Sequence, residues 1–193
     1  MIAAIVLVIF WTALTGGIHW DGWADTWETA LAGQGPEEKS LIRKDPRLGT
    51  YGVLGIALGV LFKTVLLGSF YYRPVDLVLV PVWARGALPV LIFLSHRVVP
   101  AIPLSNGLGG DFFKTLTRNR ILVTLMITLL LMALLTGVKE ILVMGVSMLL
   151  TLVPASWALR KQDALSGDFM GFCVEFLEMV SLIVLGEMSH KNL

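Results

Sequence analysis

Charge and cysteine are both scarce in this chain. Of its 193 residues only 15% are charged, against about 25% in an ordinary soluble domain. The single cysteine, Cys173, excludes an intrachain disulfide framework and a cysteine-built metal cluster. A net charge of +1 gives no pointer to nucleic acid. No Gly-x-Ser-x-Gly elbow is present, so nothing supports a Ser/His/Asp nucleophile. There is no internal repeat and no low-complexity linker. Polar alternation is too sparse for a transmembrane β-barrel. The apolar N-terminus has no basic segment ahead of it and no small-residue cleavage site after it. It therefore reads as a span, not a removed targeting signal.

Apolar residues are abundant. They make up 56% of the chain, and the mean hydropathy is +0.80. A water-soluble fold of this length has no core large enough for them; a bilayer is the solvent that suits them. Six stretches have the length of a membrane helix: Met1–Ile18, Thr50–Phe70, Val75–Leu94, Arg120–Gly137, Glu140–Leu159 and Phe169–Glu187. Backbone groups in lipid must pair within their own segment. The sequence thus predicts an all-α, polytopic transmembrane helix bundle of about six spans, with residues 1–193 as one integral membrane domain. Most of the Lys and Arg fall in the odd loops: Lys39, Arg43, Lys44, Arg47, Arg97, Lys114, Arg118, Arg120, Arg160 and Lys161. Those loops are expected to be cytoplasmic, with both ends of the chain facing outward. The remaining connections read as tight.

The strongest local signal is His19-Trp20-Asp21-Gly22-Trp23-Ala24-Asp25-Thr26-Trp27-Glu28. As a helix it puts Asp21, Asp25 and Glu28 at i, i+4 and i+7 on one face. Three stacked carboxylates repel unless a cation sits among them, and all-oxygen ligation suits Mg²⁺ or Mn²⁺. Mg²⁺ is in turn the usual partner of diphosphates. The bland alternative is a solvated acidic face at the interface. Trp20, Trp23 and Trp27 read as an aromatic belt. Gly16-Gly17, just ahead, permits close approach of another backbone.

A second signal is Arg43-Lys44-Asp45-Pro46-Arg47-Leu48-Gly49-Thr50-Tyr51-Gly52. Cations and glycines lead into a helix N-terminus, a natural anion site. Simple topology-setting charge is the alternative. A third is Leu165-Ser166-Gly167-Asp168-Phe169-Met170-Gly171, followed by Glu175 and Glu178. Asp168, Glu175 and Glu178 share a helical face, and acids at membrane depth face a cavity or a partner. A polar contact that only holds the bundle is the alternative. Arg85, mid-span, is expected to pair with such an acid; Lys63 is given no role. Gly107, Gly109, Gly110 and Asp111 are expected to make a flexible loop, part of a substrate lid. His96 and His190 read as interface residues.

Taken together these blocks resemble the cobalamin-5′-phosphate synthases, the adenosylcobinamide-GDP ribazoletransferases. Thr15 through Thr26 looks like that family's signature. Lys44 through Gly52 looks like its Lys-Asp-Ser-Arg-hydrophobic-Gly block, with Pro46 in place of the hydroxyl residue. Ser166 through Glu175 looks like its Thr-Gly-Asp block. Glu28 stands where the family usually has Asp, and the resemblance implies a further N-terminal segment ahead of Gly16, which this sequence is expected to lack. The resemblance implies transfer of the adenosylcobinamide phosphoryl group from adenosylcobinamide-GDP to α-ribazole or its 5′-phosphate, releasing GMP. It implies Mg²⁺ held by Asp21, Asp25 and Asp168. Lys44, Arg47 and Gly49 would bind the diphosphate. Asp25, Glu28 and His19 are the catalytic candidates, Glu28 or His19 as general base, with Glu175 and Arg85 supporting from below. The expected setting is a prokaryotic inner membrane with lipid around the chain and a homo-oligomer left open. A CDP-alcohol phosphotransferase is the runner-up, and a transporter stands third.

Overall fold

The structure is a computed structural model. It describes residues 1–32, 35, 39, 47–100, 102–104, 108–162 and 164–190. Among these residues the chain forms eight helices and no strand. They are α1 (Ile2–Thr15), α2 (Ile18–Leu31), α3 (Thr50–Ser69), α4 (Pro74–Val98), α5 (Leu108–Thr115), α6 (Arg118–Leu135), α7 (Val138–Lys161) and α8 (Gly167–His190). Five of them, α3, α4, α6, α7 and α8, are long and apolar enough to cross a membrane.

The expected first span, Met1–Ile18, is not one rod. α1 and α2 are bent by 94° at their junction. The cause is local: Gly16 and Gly17 both take left-handed backbone, φ 64° and 73°, a region costly for any residue with a Cβ. Gly16 closes α1 through its N–H, and Gly17 starts α2. The two helices form a sharply bent pair, and the second, α2, packs into the bundle.

α8 is the central helix. In its most apolar window 78% of residues are buried, against 17% for α6. α6 presents Leu122, Met126, Ile127, Leu130 and Leu134 outward, as a lipid-facing helix does. α3 and α8 run parallel, since Lys63 meets Glu175 and Phe70 packs on Gly186. α2 lies antiparallel against both. Its tryptophans fill the groove made by α3 glycines: a Cβ on Gly55 would be 2.8 Å from Trp27, and one on Gly59 would be 2.7 Å from Trp20. Small residues let membrane helices approach this closely.

The expected aromatic belt is therefore corrected. Trp20 and Trp23 are 6% and 5% exposed, inside the bundle. Trp23 stacks on Phe172 of α8, with ring centroids 5.1 Å apart, and donates to the carbonyl of Gly55 at 2.8 Å. The far end of the bundle is tied by Arg73, which bonds Asp76 at the start of α4 and Glu140 at the start of α7. The third loop holds a helix, α5, which the glycines did not suggest. Gly109 of α5 packs directly on the backbone of Ser166 and Gly167. The substrate-lid expectation for Gly107 lies outside the described residues.

Candidate active site

The acids are set by contact between two backbones. A Cβ on Gly22 of α2 would lie 2.7 Å from the carbonyl oxygen of Asp168. One on Gly171 would lie 3.0 Å from the carbonyl oxygen of His19. These glycines bring α2 and the first turn of α8 together with no side chain between them. A buried polar chain fixes the register. Thr26 donates to the Asp168 carbonyl at 3.4 Å and accepts from Gln162 at 2.7 Å. Gln162 accepts from Ser166 at 2.9 Å, and Ser166 accepts from the N–H of Phe169 at 3.3 Å. Thr26 and Gln162 were not singled out from sequence; a hydroxyl residue set among the acids and tryptophans of α2 was the signal.

Asp21, Asp25 and Glu28 do share one face of α2, as their spacing predicts. Asp21 is exposed, and Asp25 and Glu28 are half-buried. The charges acting on Asp25 are those of Asp168, Asp21 and Glu28, all negative. Among the described residues neither Asp21 nor Asp25 has a cationic partner. Such a cluster suits a hard divalent cation in donor type and in charge. As the side chains stand, no group of three His, Cys, Asp or Glu among the described residues closes into a metal-ligand set. The donors fit Mg²⁺ in kind, and the rotamers must converge to hold it.

Glu28 already has a task. Its Oε2 accepts from the N–H of Gly52 at 2.6 Å, and the carboxylate fills the space where a Gly49 side chain would be. It caps the N-terminus of α3, where a negative charge is favoured. Gly49 is needed there for room, a simpler reason than diphosphate contact. Arg47 sits exposed at the mouth of the same region. Lys44 lies outside the described residues.

Half-buried His19 and Arg85 and buried Glu175 and Glu178 form a second constellation with Lys63 at its hub. Lys63 is 1% exposed. Its ammonium donates to Glu175 at 2.8 Å and to Glu178, and lies 4.6 Å from the Trp11 ring centroid. Glu178 also accepts from Arg85, which reaches His19 Nδ1 at 3.1 Å. The expected pairing of Arg85 with an intramembrane acid is found, through Glu178; Glu175 holds Lys63. Arginine only donates, so Nδ1 of His19 must accept and the ring proton sits on Nε2. In this arrangement His19 offers a donor, not a base. Lys63, given no role from sequence, is thus a structural hub that joins α3 to α8.

Comparison with known proteins places the sequence in a family. The family model described as cobalamin-5-phosphate synthase matches residues 1–186. The adenosylcobinamide-GDP ribazoletransferase of Stutzerimonas stutzeri (strain A1501) is 33% identical over 190 residues, 96% of this chain and 74% of that protein. The enzyme of the same name from Brevibacillus brevis is 32% identical, covering 95% of this chain and 74% of its own. That from Clostridium botulinum (strain Kyoto) is 30% identical, covering 94% and 73%. No solved structure matches the chain. Neither the CDP-alcohol phosphotransferase reading nor the transporter reading gains support. By the extent of the family match and by these relatives, the chain belongs to the cobalamin-5-phosphate synthase family.

Proposed function

We propose that this chain joins the adenosylcobinamide phosphoryl group of adenosylcobinamide-GDP to α-ribazole or α-ribazole 5′-phosphate and releases GMP. The observation that carries the reading is the backbone contact of Gly22 with Asp168, which sets the acids of α2 beside the acid of α8. A ribose hydroxyl of the acceptor attacks the phosphorus next to the cobinamide arm. The bond from that phosphorus to the oxygen of GMP breaks, and one proton leaves the hydroxyl. Asp21, Asp25 and Asp168 would hold Mg²⁺, which when bound neutralises charge on the non-bridging oxygens. Arg47 and Lys44 bind the diphosphate and keep it in line with the acceptor. Glu28 keeps α3 in place with Oε2 and takes the proton on Oε1. Lys63, Glu175 and Glu178 hold Arg85 and His19 beneath the acids. The site end of the bundle is proposed to face the cytoplasm of a prokaryotic inner membrane, where the Lys and Arg of the odd loops belong. The test is GMP release by the purified chain in liposomes, given adenosylcobinamide-GDP, α-ribazole 5′-phosphate and Mg²⁺. Release that needs acceptor and stops with chelator supports the reading; no release from correctly folded protein refutes it.

A further inference from the structure

The peptide that joins Asp168 to Phe169 is held at both ends. Its N–H donates to Ser166 Oγ at 3.3 Å, as the third residue of a helix does to a capping hydroxyl. Its carbonyl accepts from Thr26 of α2 at 3.4 Å. Between Ser166 and Thr26 stands one side chain, that of Gln162, which closes α7 and turns its amide back into the bundle. Ser166 donates to Gln162 Oε1 at 2.9 Å, and Gln162 Nε2 donates to Thr26 Oγ1 at 2.7 Å. The four hydrogen bonds make a ring that starts and ends on the same peptide group.

The donors fix its direction. A backbone N–H only donates, so the Ser166 oxygen receives it and passes its own proton to the amide oxygen. The amide gives a proton at nitrogen, and Thr26 has its own left for the Asp168 carbonyl. All four bonds point the same way, an arrangement in which each strengthens the next. Only an amide serves in the middle: a carboxylate accepts at both ends, and a hydrocarbon side chain does neither. Thr26 is 0% exposed, Gln162 3% and Ser166 7%, so water does not stand in for a lost partner. On the other side of the turn the N–H of Leu165 donates to the Pro103 carbonyl at 2.8 Å, and Gly109 of α5 lies on the backbone of Ser166 and Gly167.

The ring joins the stretches of α2 and α8 that carry the acids. Thr26 follows Asp25 directly, and the Asp168 charge acts on Asp25. Like charges this near push apart, and the ring opposes that push together with the Gly22 contact. We propose that Gln162 is a positioning residue. It touches no reacting atom; through Thr26 and Ser166 it keeps Asp168 within one divalent cation's reach of Asp21 and Asp25. This rests on the metal role proposed above for those acids. Partners one bond beyond a metal ligand change affinity by about 10–100-fold. The ring acts on the backbone of Asp168, so the lower end, about tenfold, is expected here.

The measurement is Mn²⁺ binding by the full chain in phosphatidylcholine nanodiscs, without substrate, followed by the electron paramagnetic resonance signal of free Mn²⁺. Asp25→Asn abolishes the binding and so assigns it to this site. Gln162→Met and Thr26→Val keep shape and break the ring; each weakens binding about tenfold. The double variant is no weaker than either single one, because one ring is broken once. Thr26→Ser keeps the hydroxyl and the affinity. Ser166→Ala opens the same ring at the helix cap and gives the same loss if Gln162→Met does not fold. Ser181→Ala controls for stability: it breaks a buried α7–α8 hydroxyl contact of 3.0 Å, about 20 Å along α8 from Asp168. It should lower the SDS unfolding midpoint and leave Mn²⁺ affinity alone. A tenfold loss in Ser181→Ala too, losses that add in the double variant, or binding that survives Asp25→Asn overturns the proposal. A parent chain that binds no Mn²⁺ sinks the metal reading and the positioning role with it. A parent that binds, with Gln162→Met and Thr26→Val binding equally well, sinks the positioning role alone.

Discussion

Lys63→Met tests the hub on which the buried charges depend. In the native chain Lys63 and Arg85 balance Glu175 and Glu178. Methionine fills nearly the same volume without charge and leaves two carboxylates to one guanidinium. Lys63, Glu175 and Glu178 are at most 2% exposed, so water does not replace the lost ammonium. Removing one partner of a buried ion pair costs about 3–5 kcal/mol, because the other charge stays behind uncompensated. The loss is expected at the upper end of that range, since one ammonium serves two acids. Adding Glu175→Gln to Lys63→Met restores charge balance and recovers most of the loss. The assay is reversible unfolding in mixed micelles with increasing SDS, followed by tryptophan fluorescence, since Trp11 and Trp20 flank the ammonium. A Lys63→Met loss below about 1 kcal/mol, the value of an exposed pair, or no recovery in the double variant, refutes the reasoning.

Asp25→Asn and Asp168→Asn each remove a charged oxygen from the proposed metal site, and GMP release should fall by about a thousandfold, the scale of losing a main electrostatic contact in the transition state; rates near the parent's at limiting Mg²⁺ would remove both residues from that site. Gly22→Ala must push α2 off α8, because its Cβ meets the Asp168 backbone at 2.7 Å. A loss of about 1–3 kcal/mol is expected by SDS unfolding, with GMP release reduced, and an unchanged unfolding midpoint would show that the two helices are not in contact. Cysteines at Lys39 and Lys161, whose side chain and carbonyl meet at 2.6 Å, should resist an impermeant thiol reagent added outside intact cells; rapid labelling of either reverses the proposed orientation.

Hydropathy alone carried five of the six spans, because a long apolar run in lipid has one solution. It failed at the first, where the run from Met1 to Ile18 gives no hint that Gly16 and Gly17 both turn left-handed. The acidic face of α2 was legible from its i, i+4, i+7 spacing, and the later Asp168 from its place at the head of a span. Trp20 and Trp23 were misplaced at the interface, since aromatic residues near a span end suit a belt and a glycine groove equally well. Only the spacing of Gly52, Gly55 and Gly59 on α3, three and four residues apart, records the groove that takes them. Glu175 was expected to hold Arg85 or Lys63 beneath the site, and it holds Lys63; the second carboxylate on that ammonium, Glu178, was not foreseen. Glu28 was read as a ligand or base, and its cap on α3 depends on a helix start that its own neighbourhood does not encode.

That cap also acts as a clasp. The chain leaves α2 at Leu31 and re-enters the bundle at Thr50, yet the Glu28–Gly52 bond pins departure and return to one point. The two ends of the connection are thereby held together whatever its length. Doubling the length of such a loop costs only about 0.6 kcal/mol in closure entropy. A change in the length of the connection therefore leaves Asp21, Asp25 and the start of α3 in register.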